Sequence, residues 1–135
     1  MSELELRREV EQRRRAQQET AQARIDLELA LALSSTASWT LNLFNDKMSW
    51  GGAYFKVWGD DADQALTSGE GVFARIHPDD RARVRAAITK AASPESKGYR
   101  EIFRIVLPSG EIRWLSGRGN FARNRNYDAI TGITT

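Results

Sequence analysis

The hydrophobic period of this chain changes twice along its length. From residue 2 to about 35 there is no Gly or Pro, and Glu, Arg, Gln, Ala and Leu dominate. Summed over so long a window, their propensities predict one long helix. Glu9 with Arg13 and Glu11 with Arg15 stand at i,i+4 in the favourable order. The first half offers apolar contacts only at Leu4, Leu6 and Val10. In the second half Ala16, Thr20, Ala23, Leu27 and Ala30 follow the 4-3 spacing of a coiled-coil seam, and Leu29, Leu31 and Leu33 widen the apolar surface. Such an amphipathic helix is weak alone and needs a partner. The seam with Leu31 is therefore the candidate interface between two copies, and a helix folded back on its own domain is the alternative.

After Ser34-Ser35 the period becomes two. Trp39, Leu41 and Leu43 alternate with Thr40 and Asn42, which predicts a half-buried strand. Asn45-Asp46-Lys47 supplies turn chemistry, and Met48 to Trp50 pairs back as a second strand. A short helix over Ala53–Trp58 should end at Gly59. Residues 60–71, acidic and containing Ser, Thr and Gly, read as an exposed connection. A clearer helix runs from Pro78 to about Ala92, with proline at its first position, Asp79 and Asp80 at its positive end, and Val84, Ala87, Ile88 and Ala91 as its buried stripe. Three strands close the pattern, Tyr99–Leu107, Ile112–Phe121 and Ala129–Ile133, joined by turns at 108–110 and 124–126. Five short strands with helices grouped between them predict an α+β domain, a five-stranded antiparallel sheet with helices on one face. In the third strand Tyr99, Phe103, Ile105 and Leu107 share one side, while Ile102 and Val106 share the other. Both sheet faces should then be covered, the second by the N-terminal helix or another subunit.

Composition narrows the chemistry. A chain of 135 residues that is 41% hydrophobic makes one folded domain with a modest core. With no cysteine there are no disulfides, thiolate metal sites or cysteine nucleophiles. A formal charge of +2 is too small to imply nucleic acid, although Arg113, Arg118, Arg123 and Arg125 do interleave with Trp114, Phe121 and Tyr127. No apolar run is long enough to span a membrane, and the Glu- and Arg-rich start is no secretion signal, so the default location is cytoplasmic.

His77 is the sole histidine, placed where a helix-capping residue belongs, and with no Cys a metal site would have only carboxylates as further ligands, so none is expected. Asp79 and Asp80 point roughly 100° apart on a helix and do not converge on one substrate atom; helix-start electrostatics explains both. No nucleophile elbow, phosphate loop or zincin pattern is present. No catalytic or metal residue is assigned. Glu101 and Arg104 face opposite sides of their strand and so do not pair with each other; a cross-strand pair with Arg113, Arg118 or Glu111, and a contact to a ligand carboxylate or a partner's helix, are both open to them.

Ile76-His77-Pro78-Asp79-Asp80-Arg81, the run Tyr99–Val106 and Gly110-Glu111-Ile112-Arg113-Trp114 occur in this order, with Trp39 and Trp58-Gly59 before them and Gly132-Ile133-Thr134 after. This combination resembles the PAS sensor family, in particular the bacterial subgroup with a His-Pro-Asp-Asp helix start and a Gly-x-x-Arg-Trp hairpin. The resemblance implies a PAS domain over 37–135 preceded by a signalling helix over 1–36. It implies a regulatory part of a larger protein, a sensor histidine kinase, rather than an enzyme in itself. A diguanylate cyclase or phosphodiesterase module, or a ligand-free interaction scaffold, is the alternative. The chain stops before the exit segment that leads to an effector in such proteins. The family encloses small molecules between sheet and helices, and Trp39, Leu41, Phe55, Trp58, Phe73, Ile76, Phe103 and Trp114 are the candidate lining. Without cysteine the light-sensing flavin chemistry has no counterpart, and haem has no convincing ligand; a non-covalent flavin, a metabolite or a filled aromatic core are the readings left.

Overall fold

A computed structural model describes residues 2–60, 65–123 and 126–135. The expectations for 61–64 in the acidic connection and for 124–125 in the last turn lie outside the described residues.

Helix α1 spans Glu3–Leu33, and the Ser2 hydroxyl accepts a hydrogen bond from the Glu5 N–H at its start. The expected Glu9–Arg13 and Glu11–Arg15 pairs form at 2.9 and 3.4 Å on an exposed surface, where each contributes a few tenths of a kcal/mol. Ser35 turns the chain left-handed (φ 57°) into strand β1, Ala37–Asn42. Asp46, also left-handed (φ 62°), turns β1 into β2, Met48–Gly52, in the register Trp39 opposite Trp50. Helix α2 covers Tyr54–Trp58 and ends at Gly59, whose φ of 71° is open to glycine without strain.

A further helix, α3, Gly69–Arg75, begins inside the stretch 60–71 expected to be an exposed connection. Ser68 caps it by accepting from the Gly71 N–H, and Asp46 accepts from the Glu70 N–H. Its glycines look like breakers, yet a Cβ on Gly69 would meet the Asp46 carboxylate and Leu41 at 2.4 and 3.0 Å. The helix needs them in order to sit against the β1–β2 hairpin.

Helix α4, Pro78–Ala91, matches its prediction. Strands β3 (Tyr99–Val106), β4 (Ile112–Arg123) and β5 (Asp128–Thr134) complete an antiparallel sheet of order β2-β1-β5-β4-β3. Strand β4 runs two residues further than the pattern suggested because its whole second half pairs with β5. Helices α2 to α4 pack on one face around Trp58, Ile76, Phe103, Ile105 and Ile130.

Candidate functional site

The inner face of the sheet and the helices enclose a cavity of about 40 Å³. Trp39, Leu41, Trp58, Phe73, Ile76 and Phe103 line it. Phe55 and Trp114, also candidates, do not. In so short a helix Tyr54, Val57 and Trp58 form the buried stripe, so Phe55 turns outward and is 48% exposed. On β4 Leu115 takes the inner position, and alternation sends Trp114 to the opposite face, 62% exposed.

Trp50, Tyr99, Gly117 and Thr134 also line the cavity, with aliphatic residues of α3 and α4, and were not singled out from the sequence as lining. Only for Gly117 did the sequence carry a signal, in the glycine spacing on β4. Gly117 and Gly119 both point inward, and a Cβ there would lie 3.1 Å from Phe103 and Tyr99, or 2.8 Å from Trp39. The glycines make room for three aromatic rings. Space for about three waters remains, far below the roughly 300 Å³ of a drug-sized site.

Trp50, Tyr54 and Asp60 beside the cavity are committed to one another and to the backbone. The Trp50 indole N–H donates to the Leu66 carbonyl at 2.6 Å, and its ring stacks on Tyr54 at 4.2 Å. The Tyr54 hydroxyl donates to Asp60 in a short hydrogen bond and accepts from the Leu66 N–H at 2.8 Å, while Asp60 pairs with Arg75 at 2.7 Å. Burial first, then the Asp60 carboxylate, pushes the Tyr54 phenol well above its ordinary value of 10.0. Burial does the same to Tyr99.

The two sequence motifs turn out to be joints. Ile76 bridges to Ile105, the His77 N–H donates to the Arg104 carbonyl at 2.8 Å, and the His77 ring Nδ1 accepts from the Asp79 N–H at 3.1 Å. His77 is thus the helix cap expected. Asp80 is not merely helix-start charge. It is buried, and accepts from the Arg104 backbone N–H at 2.8 Å and from the Arg104 guanidinium at 3.0 and 2.8 Å. Those hydrogen bonds hold its carboxyl far below the usual carboxylate range. Arg81 donates back to the Ala74 and Ile76 carbonyls at 2.9 Å, closing the end of α3.

Arg104 and Glu101 therefore find their partners on α4, Glu101 with Arg83, and not on the neighbouring strand. Strand β3 is an edge strand, and α4 lies along it. In the second motif Gly110 takes a φ of 89° in the turn, and Arg113 donates to the Lys56 and Val57 carbonyls at the end of α2. Arg104 also lies 5.2 Å above the Trp114 ring.

No residue of α1 is buried. Ala16, Thr20, Ala23, Leu27 and Ala30 of the seam all face solvent in the single chain. Leu31 does not belong with them. It lies half-buried beside Gly52, where Glu28 accepts from the Gly52 N–H at 2.8 Å. Helix α1 thus touches β2 and β1 and leaves the far side of the sheet open. There Ile102, Ile112 and Trp114 are each at least half exposed. The expectation that α1 of the same chain covers this face of β3 is overturned.

Among the described residues no helix is long and apolar enough to cross a membrane. No curated protein matches the chain. Among solved structures it is similar to a sensory box histidine kinase/response regulator from Burkholderia thailandensis, with 28% identity, 82% of each chain covered and a TM-score of 0.61. A PAS domain from Colwellia psychrerythraea superposes with a TM-score of 0.65 at 18% identity, over 86% of this chain and 95% of that one. The N-terminal domain of a diguanylate cyclase with a PAS/PAC sensor from Marinobacter aquaeolei gives 0.64 at 17% identity, over 74% and 93%. The model of the PAS fold matches residues 47–134, from the first hairpin through both joints to the last strand. A match over that much of the sequence, on a sheet of this order, establishes that the chain belongs to the PAS fold family.

Proposed function

We propose that this chain is the sensory and pairing module of a larger signal-transduction protein of the histidine-kinase type, and that two copies associate through α1 and the outer sheet face. The likeness to the Burkholderia histidine kinase supports the protein class. A diguanylate cyclase module rests on a fold likeness at 17% identity.

The observation that carries pairing is the presence of two unpartnered apolar surfaces on one chain. Ile112 lies opposite Val106, and Trp114 opposite Arg104, so Ile102, Val106, Ile112 and Trp114 form one patch on β3 and β4. Helix α1 exposes Ile25, Leu29 and Leu33 at i,i+4 spacing on one side and Leu27 on another. It docks beside β2, three strands from β4 and four from β3. At about 4.8 Å per strand, its own helix stands some 15 Å from the patch. A helix from a second copy meets no such limit. Charge agrees, since Arg100 lies directly opposite Arg118 beside the patch, an arrangement that favours an acidic neighbour, and α1 carries Glu19 and Asp26.

Signalling then follows by population shift. A change in the cavity alters the packing of β1 and hence the setting of α1, and paired and unpaired states differ in affinity for that change. A ligand-free scaffold is the second reading, favoured by the small volume of the cavity.

Sedimentation equilibrium tests the pairing. The chain should be dimeric at micromolar concentration, while Ile102→Glu and Trp114→Glu, folded by circular dichroism, should sediment as monomers. Wild-type protein monomeric at 100-fold higher concentration, or variants that pair as well as wild type, would rule out this surface.

A further inference from the structure

Among the described residues, the buried side-chain nitrogen and oxygen atoms without a hydrogen-bond partner are Trp58 Nε1, Thr134 Oγ1 and Asp60 Oδ1. Asp60 Oδ1 has the Arg75 guanidinium at 2.7 Å, which satisfies it electrostatically. The other two belong to residues that are each 2% exposed, and both residues line the same cavity. Trp50 makes the contrast plain, because its indole N–H in the same aromatic cluster is fully engaged by a carbonyl. A buried donor left alone is costly, so a molecule that supplies its partner gains that energy on entering.

We propose that the cavity is the binding site of a small neutral molecule that accepts a hydrogen bond from the Trp58 indole N–H and exchanges one with the Thr134 hydroxyl. Three observations set the chemical class. No carboxylate, amine, guanidinium or imidazole lines the cavity, and the Tyr99 phenol in its wall is kept neutral by burial, so a charged ligand would lose its hydration without compensation. About 40 Å³ admits on the order of three heavy atoms, at 10–15 Å³ for each water-sized centre. The two polar groups offer a donor at one point and a donor or acceptor at the other. A small amide, alcohol or nitrile meets all three conditions; a nucleotide or haem fails on charge and size, and a flavin on size.

The position of Thr134 gives such a ligand a route to the rest of the molecule. Thr134 pairs with Gly117 on one side and with Ala37 on the other. Ala37 opens β1 directly after Thr36, whose N–H donates to Leu31 at the end of α1 and whose carbonyl accepts from Ala53 at the start of α2. A molecule held by Thr134 therefore bears on the joint between α1 and the sheet. This assignment rests on the sensory reading above and specifies what that site takes.

The test is a ¹H–¹⁵N titration of the full chain with formamide, and with formate as a charged molecule of the same heavy-atom count. Formamide should shift the Trp58 indole and Thr134 amide resonances saturably, and formate should leave them in place. Thr134→Val, which preserves shape, should weaken the formamide response about fivefold, while Thr131→Val on the outer face should not change it. Equal response to formate, or an unaltered response in Thr134→Val, overturns the proposal. So does a Trp58 indole that exchanges magnetisation with water and is never displaced by formamide, which would make the cavity a hydration site. Pairing is measured separately by sedimentation, so a monomeric chain that binds formamide refutes the interface and leaves the ligand class standing.

Discussion

Replacing Asp80 by asparagine isolates the joint between α4 and β3. In the native protein the carboxylate accepts three hydrogen bonds, one from a backbone N–H and two from a guanidinium. Asparagine can keep its carbonyl at the Oδ2 position, where it still accepts from the Arg104 backbone N–H and Nε, but its NH₂ group then faces Nη2, so one guanidinium bond is lost and the other loses its carboxylate charge. A hydrogen bond to a charged group is worth about 1.5–3 kcal/mol. Arg104 keeps a quarter of its side chain in water and recovers part of this. A destabilisation of about 2–3 kcal/mol remains, or roughly 10 °C in melting temperature for a domain of this size.

The neighbouring Asp79→Asn removes only an exposed charge at the helix start and should cost about 0.5 kcal/mol. Protonation fixes the sign with pH. The folded-state value of Asp80 lies below its ordinary 3.8, so the unfolded chain takes up the proton first. The carboxylate's stabilisation is complete above about pH 5 and fades as pH falls through the folded-state value. Urea unfolding followed by tryptophan fluorescence at pH 7 and pH 3, below the unfolded-state value, reads both effects. If Asp80→Asn matched Asp79→Asn at pH 7, or if its deficit stayed constant on acidification, the buried pair would not hold the joint.

Gly132→Ala should prevent folding, because the new Cβ would lie 1.8 Å from the Arg118 carbonyl oxygen inside the sheet, whereas Gly110→Ala meets open space and pays about 1 kcal/mol for its positive φ; soluble expression and melting temperature separate the two. Arg113→Ala should cost about 1–2 kcal/mol by leaving the Lys56 and Val57 carbonyls at the end of α2 without their donor, measured by urea melts. Absorbance at 295 nm should show Tyr54 and Tyr99 still protonated at pH 11 while the protein is folded. Stability should then fall as pH rises above about 10, since the unfolded phenols ionise first.

Periodicity made the strands, α1 and α4 legible, and alternation along β3 correctly divided Phe103 and Ile105 from Ile102. What stayed hidden depended on distant neighbours. Helix α3 was obscured by glycines whose purpose is the approach to Asp46, a residue more than twenty positions earlier. The partners of Glu101 and Arg104 came from α4, which no strand pattern can place. Trp114 looked like core because it is tryptophan, but its parity with Leu115 decides its side, and register is a property of the assembled sheet. Thr134 carried no signal until Gly117 and Ala37 were seen on either side of it.

Both outer strands of the sheet are occupied by the chain itself. Along β3 the Arg104 backbone is taken by His77 and Asp80, and along β2 the Met48 N–H donates to the Thr67 carbonyl while Glu28 holds Gly52. A visiting strand finds those main-chain positions already filled, so the protein is guarded against ribbon-like polymerisation. Association is steered to side chains, where a single substitution can raise or lower affinity without disturbing the sheet. A module reused in many proteins gains from that separation: its partners can diversify while its fold stays the same.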